Sequence, residues 1–156
     1  MRRALILLAL AALTAAAPAR LTGAQVRAFA ARQSALWNAQ DMAGYFATFT
    51  PGARFTDQAL ANSNTIVPYG SSSVTQARAL AAKSRARGRL SEAISVQSIV
   101  LAPDGRGARL SAHVISEAAG RRFCAQRVET LVLTPSGLRA SAQTDTIVRC
   151  RSGPLR

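Results

Sequence analysis

Residues 37–57 read WNAQDMAGYFATFTPGARFTD, and the fold turns on how this stretch is divided. Asp41 is an N-cap signal, followed by Met42, Tyr45, Phe46 and Phe49 on one helical face, so a short helix opens here and Pro51-Gly52 ends it. Arg54 to Asp57 then predicts a short strand. Upstream, Thr22 caps a helix running to about Asn38, in which Val26, Phe29, Ala30, Gln33, Leu36 and Trp37 recur at helical spacing. Downstream, Ala59 to Asn64 reads as a polar loop and Thr65 to Tyr69 as extended chain. Gly70 and Ser71 to Ser73 lead into a third helix, which reaches about Arg87 and is stopped by Gly88.

Beyond Gly88 the period changes from helical to alternating. Ser91 to Leu101, Ala108 to Glu117, Arg122 to Leu133 and Leu138 to Cys150 each read as strands. The turns Pro103-Asp104-Gly105, Ala119-Gly120 and Thr134-Pro135-Ser136-Gly137 separate them. The order is helix, helix, short strand, helix, then four antiparallel strands. This is an α+β chain with three helices packed on one face of a curved, mainly antiparallel sheet.

Met1 to Ala19 reads as a secretory signal and residues 20–156 as one domain. Arg2 and Arg3 form its basic start, Ala4 to Ala17 its apolar run, and Ala17-Pro18-Ala19 its cleavage site, with the cut between Ala19 and Arg20. The apolar run is shorter than the roughly 18–20 residues that span a bilayer. Export to the periplasm or the medium makes a disulfide between Cys124 and Cys150 the expectation, with two buried thiols as the alternative. One histidine and no CxxC pair leave no basis for a metal site, and no cofactor is expected.

A hydrophobic fraction of 49% excludes a disordered chain. The net charge is +13, and of 20 basic residues only Lys83 is lysine, a pattern that coding bias alone produces. Aromatics are 5% of the chain and none lies within Val74 to Ser116, so a stacking platform for nucleic acid is not expected. Weak attraction to an anionic envelope surface is the partner that the charge implies.

The element order, with Trp37-Asn38-Ala39-Gln40-Asp41 and Phe49-Thr50-Pro51-Gly52-Ala53-Arg54-Phe55-Thr56-Asp57, resembles the nuclear transport factor 2-like superfamily, which includes polyketide-cyclase-like and ketosteroid-isomerase-like proteins. The resemblance implies a cystatin-like cone with one central pocket, and members that are enzymes, binding proteins or adaptors. In the ketosteroid-isomerase-like pattern the catalytic base lies eight residues after the Phe that closes the second helix, here Asp57 after Phe49. The second acid falls on Glu129, and the oxyanion-binding tyrosine position holds Gln33, a weaker acid. Arg127-Val128-Glu129 is also similar to the Arg-x-acid element of the family's epoxide hydrolases. A hairpin pairing residues whose numbers sum to about 272 then places Asp145 opposite Arg127.

These readings make Asp57, Glu129 and Arg127 the candidate catalytic set. Gln33, Trp37, Tyr45, Phe49, Phe55 and Tyr69 are the candidate pocket residues. Arg127 and Glu129 equally read as an exposed ion pair, and Asp145 as a solvent-facing partner of Arg127. His113 alternates with Ala112 and Val114, so it belongs on the outer face of its strand. The leading expectation is an exported protein that binds a small apolar or amphipathic molecule. An isomerase or dehydratase with Asp57 as general base comes next, then epoxide-hydrolase-like chemistry. The remaining alternative is an adaptor that dimerises through the sheet.

Overall fold

The computed structural model describes residues 20–61, 65–118 and 120–150. The signal read over Met1 to Ala19 lies outside the described residues, as do the last three residues of the loop read over Ala59 to Asn64. Helices α1 (Gly23–Asn38) and α2 (Met42–Ala47) are followed by strands β1 (Phe49–Leu60) and β2 (Ile66–Ser73). Helix α3 (Val74–Arg85) leads to β3 (Leu90–Leu101), β4 (Gly107–Ala118), β5 (Arg121–Thr134) and β6 (Gly137–Val148). The strands form one sheet in the order β2-β1-β6-β5-β4-β3, with β1 parallel to β6 and every other pair antiparallel.

Both expected caps form. The Thr22 hydroxyl accepts from the Gln25 amide while the Gln25 side chain accepts from the Thr22 amide, a reciprocal capping box. Asp41 accepts from the Gly44 amide at 2.8 Å and starts α2. Gly44 is needed there, because a Cβ would collide with the Asp41 carboxylate and with Leu36.

The first strand corrects the reading from sequence. Helix α2 ends at Ala47, and Phe49 and Pro51-Gly52 belong to a β1 of 12 residues rather than to a helix terminus. Between Phe49 and Arg54 the chain advances five positions while its β6 partner advances only from Ala140 to Ala142. β2 pairing begins only at Arg54, so the proline lies where no ladder amide is required. Ser71 to Ser73 close β2 instead of opening α3, and the Ser73 hydroxyl accepts from the Gln76 amide as the α3 cap.

The four later strands fall within a residue or two of their expected bounds. Further register shifts lie at Asp57/Gln58, Val96/Ser98 and Thr130/Leu131, and such bulges bend a sheet and increase its twist. The core lies between this sheet and the helices, where Val26, Phe29 and Phe46 meet Phe49, Phe55, Leu110 and Leu131. Cys124 and Cys150 form the expected disulfide with their Cα atoms 5.1 Å apart, tying the start of β5 to the residues after β6. Among the described residues no helix is long and apolar enough to cross a membrane.

Candidate functional site

A cavity of about 270 Å³ lies between the helices and the sheet, with residues of all six strands in its wall. Trp37, Tyr45, Phe46 and Phe55 form its aromatic side, and Ala77, Leu80 and Ala81 of α3 form an aliphatic side. Asp57, Glu92, Arg127 and Asp145 line the remainder together with Ser72, Ser84, Ser116 and Gln143.

Arg127 organises the charged residues. Its strand β5 sits between β4 and β6, and the register sets Asp145 directly opposite it, as the hairpin arithmetic requires. The guanidinium makes a bidentate contact with Asp145, Nε to Oδ1 at 2.8 Å and Nη2 to Oδ2 at 3.0 Å. Its Nη1 donates to Glu92 at 3.0 Å. Burial alone lowers the proton affinity of such a group, but Asp145 and Glu92 more than reverse that effect, so Arg127 stays charged. The Glu92 and Arg127 side chains are only 2% and 7% exposed, so this is an interior acid–Arg–acid set rather than a surface pair.

Asp145 is therefore not a solvent-facing residue, and Glu129 is not the partner of Arg127. Glu129 is fully buried behind the cavity wall, against Gln33. Arg127 lowers its proton affinity, yet burial prevails and pushes its carboxyl up to about 7. Gln33 can pair with either protonation state of Glu129. When Glu129 is neutral, its O–H can donate to the Gln33 carbonyl, while the Gln33 amide donates to Thr48 at 3.0 Å. Thr48 in turn donates to the Tyr45 carbonyl at 2.7 Å, which completes the relay. When Glu129 is ionised, the reversed amide donates to the Glu129 oxygens at 3.0 and 3.2 Å.

Asp57 comes to the cavity from β1, where the parallel register pairs it with Asp145. Burial raises the proton affinity of its carboxyl, Asp145 raises it further, and Arg127 partly opposes both. The carboxylate lies over Gly70, where a Cβ would meet Oδ2 at 3.2 Å. Tyr45 donates through its hydroxyl to Gln143 Oε1 at 3.3 Å, and the Gln143 amide donates to Asp145 at 2.9 Å. Burial keeps the Tyr45 phenol protonated well beyond the ordinary range.

The structure brings together Asp57, Arg127, Trp37, Tyr45 and Phe55 from the expected set. Gln33 and Glu129 sit one layer deeper, and Phe49 packs in the aromatic core against Tyr45 and Phe55 without reaching the cavity. Tyr69 lies outside the wall, though near enough that, besides burial, Asp57 and Asp145 raise the proton affinity of its phenol. It is the extra residue of the β1–β2 bulge on an edge strand and is 61% exposed. His113 stands on the face opposite Ala112 and Val114, away from the cavity.

Glu92 is the residue that the sequence reading passed over. The alternation Leu90, Glu92, Ile94, Val96 places it on the inward face of β3, a signal as plain as the one that set His113 outside. Two side-chain amides fix it there. Asn38 accepts from the Glu92 amide and donates to its carbonyl, both at 2.8 Å, and Gln40 does the same to Leu90 at 3.3 and 2.6 Å. Asn38 and Gln40 thus act as two rungs of ladder along an otherwise unpaired edge of β3.

No protein-family model and no curated protein matches the chain. Solved structures do. A protein of unknown function with a cystatin-like fold from Nostoc punctiforme is 14% identical at a TM-score of 0.61, over 83% of this chain and 80% of that one. A ketosteroid isomerase-like protein from Erwinia carotovora atroseptica gives 10% and 0.59, over 81% and 96%. An NTF-2 like protein of unknown function from Shewanella oneidensis gives 7% and 0.61, over 79% and 97%. The chain has the cystatin-like, nuclear transport factor 2-like fold. At these identities the likeness is one of architecture, and function has to be argued from the cavity.

Proposed function

We propose that this is an exported protein that binds one small amphipathic molecule in the cavity beneath α1, α2 and α3. The observation that carries the reading is the cavity wall, which sets four aromatic rings against the Asp57 carboxylate and the Glu92–Arg127–Asp145 set. An apolar wall with a few convergent polar groups is the usual form of a small-molecule site. The volume of 270 Å³ exceeds the roughly 150 Å³ known to hold benzene in an engineered apolar cavity. Export is supported by the basic start and short apolar run of Met1 to Ala19, and by a disulfide of the kind that persists in oxidising compartments. An open cavity argues against the adaptor alternative, for which a filled cone is expected.

Trp37 is the sole tryptophan and lines the cavity, so its fluorescence reads occupancy directly. Single-ring probes such as 2-phenylethanol are expected to change it saturably, and Ala81→Phe, which fills the cavity, is expected to abolish the response. A response that survives Ala81→Phe places the probe elsewhere and contradicts the reading.

A second reading is acid–base chemistry of the isomerase or dehydratase type on the bound molecule. It is favoured by Asp57, a cavity carboxylate with no hydrogen-bond or ion-pair partner among the described residues and with raised proton affinity, as a general base requires. With a turned-over ligand in hand, Asp57→Asn would lower kcat far more than it weakens binding. Glu129 takes no part in that chemistry from its position behind the wall.

A further inference from the structure

We propose that the cavity selects small organic cations, a protonated amine carried on an aromatic or aliphatic body. This deepens the ligand-binding reading above and rests on it. The wall carries three carboxylates, Asp57, Glu92 and Asp145, and one guanidinium, Arg127. All three guanidinium nitrogens are already directed at carboxylates, Nε and Nη2 at Asp145 and Nη1 at Glu92. An anionic ligand would therefore have to break an interior ion pair to find a cation. The basic residues of α3, namely Arg78, Lys83 and Arg85, do not supply one. That helix reaches the wall through Ala77, Leu80, Ala81 and Ser84 instead.

Asp57 is the carboxylate left over. It is partly buried, and among the described residues no ion pair or hydrogen bond engages its side chain. Glu92 and Asp145, by contrast, are both held by Arg127. Trp37, Tyr45, Phe46 and Phe55 share the wall with these acids, and ring faces attract cations through their quadrupoles. A carboxylate in a wall shared with aromatic rings, where the one cation among the described lining residues is already neutralised, is complementary to an ammonium group joined to an apolar body. This local sign runs against the molecule as a whole, whose net charge of +13 attracts anions at long range. Such long-range attraction falls off over about 8–10 Å in physiological salt, whereas the wall acts at contact distance.

Three probes of one shape separate the possibilities: 2-phenylethylammonium, neutral 2-phenylethanol and anionic phenylacetate. Each is titrated into residues 20–156 with Trp37 fluorescence and calorimetry as readouts. The cation is expected to bind at least tenfold more tightly than the alcohol, with no saturable response to phenylacetate. Asp57→Asn is expected to bring the cation to within about threefold of the alcohol. Phenylacetate binding as tightly as the cation, or a cation preference that Asp57→Asn leaves intact, overturns the charge selection while the cavity reading stands. Failure of all three probes overturns both. The ranking on the unaltered chain decides the proposal whatever the stability of the variant.

Discussion

Arg127 holds two interior carboxylates in place, and its removal tests how much of the site depends on one charge. Arg127→Met leaves Glu92 and Asp145 facing each other without a cation, and an uncompensated interior charge costs about 3–5 kcal/mol. Urea unfolding at neutral pH is expected to show that loss, and adding Glu92→Gln with Asp145→Asn is expected to recover most of it. Glu129 gives a prediction of a different kind. Its folded-state proton affinity, near pH 7, lies above the ordinary 4.5, so the folded chain binds the extra proton more tightly than the unfolded chain. That contribution to stability is complete below about pH 4.5 and lost as the pH rises through about 7, a fall of about 3 kcal/mol. Glu129→Gln is expected to remove this fall, so the variant should gain on the parent chain as pH rises from 5 to 8 (urea midpoints at a series of pH values, a window set by the same ordinary and raised values). Equal pH dependence in the two chains would contradict the assignment. Gln33 was legible in the sequence as an inward residue, whereas Arg127 and Glu129 read equally as an exposed pair. Which carboxylate Arg127 would choose was not legible, because Glu92 reaches it from β3, two strands away across the sheet.

At the scale of elements, the edge strand β3 delivers Glu92, and Asn38 and Gln40 hold that edge to the end of α1. Asn38→Ala removes two hydrogen bonds to the Glu92 backbone and is expected to cost about 2 kcal/mol. The same variant is expected to weaken probe binding at Trp37, since the strand that carries Glu92 loses its anchor. A loss of stability with unchanged binding would separate the anchor from the site. The disulfide acts on the central strands, at the same end of the sheet as Glu92. Breaking it with Cys124→Ser and Cys150→Ser is expected to cost about 3.5 kcal/mol by thermal unfolding, the chain-entropy value for a loop of this size. The elements differ in how openly the sequence announces them. Strands β3 to β6 follow from two-residue alternation interrupted by turns such as Pro103-Asp104-Gly105 and Thr134-Pro135-Ser136-Gly137, all of it local. β1 is obscured because Pro51-Gly52 reads as a stop signal, whereas in the fold it occupies an unpaired bulge that tertiary pairing on either side carries through. The paired run of β2 is concealed in the same way, since serines that cap α3 also extend a strand.

For the molecule as a whole, the surface and the cavity have opposite electrostatic characters. A chain of net charge +13 spreads its arginines over helix exits and strand ends, and in the cavity wall it retains one guanidinium among three carboxylates. The resemblance to the nuclear transport factor 2-like superfamily anticipated the cone and its central pocket from short motifs. It could not indicate the wall composition, which depends on the register between strands far apart in sequence. The central claim is that this cavity holds a small molecule, and native mass spectrometry of the protein recovered from the envelope or medium of the cells that make it tests this most directly. The account predicts one molecule bound per chain and released on unfolding, an amine by accurate mass, and absent from Ala81→Phe. A bare chain under conditions that preserve the fold, with Trp37 fluorescence unmoved by any of the three single-ring probes, would contradict it.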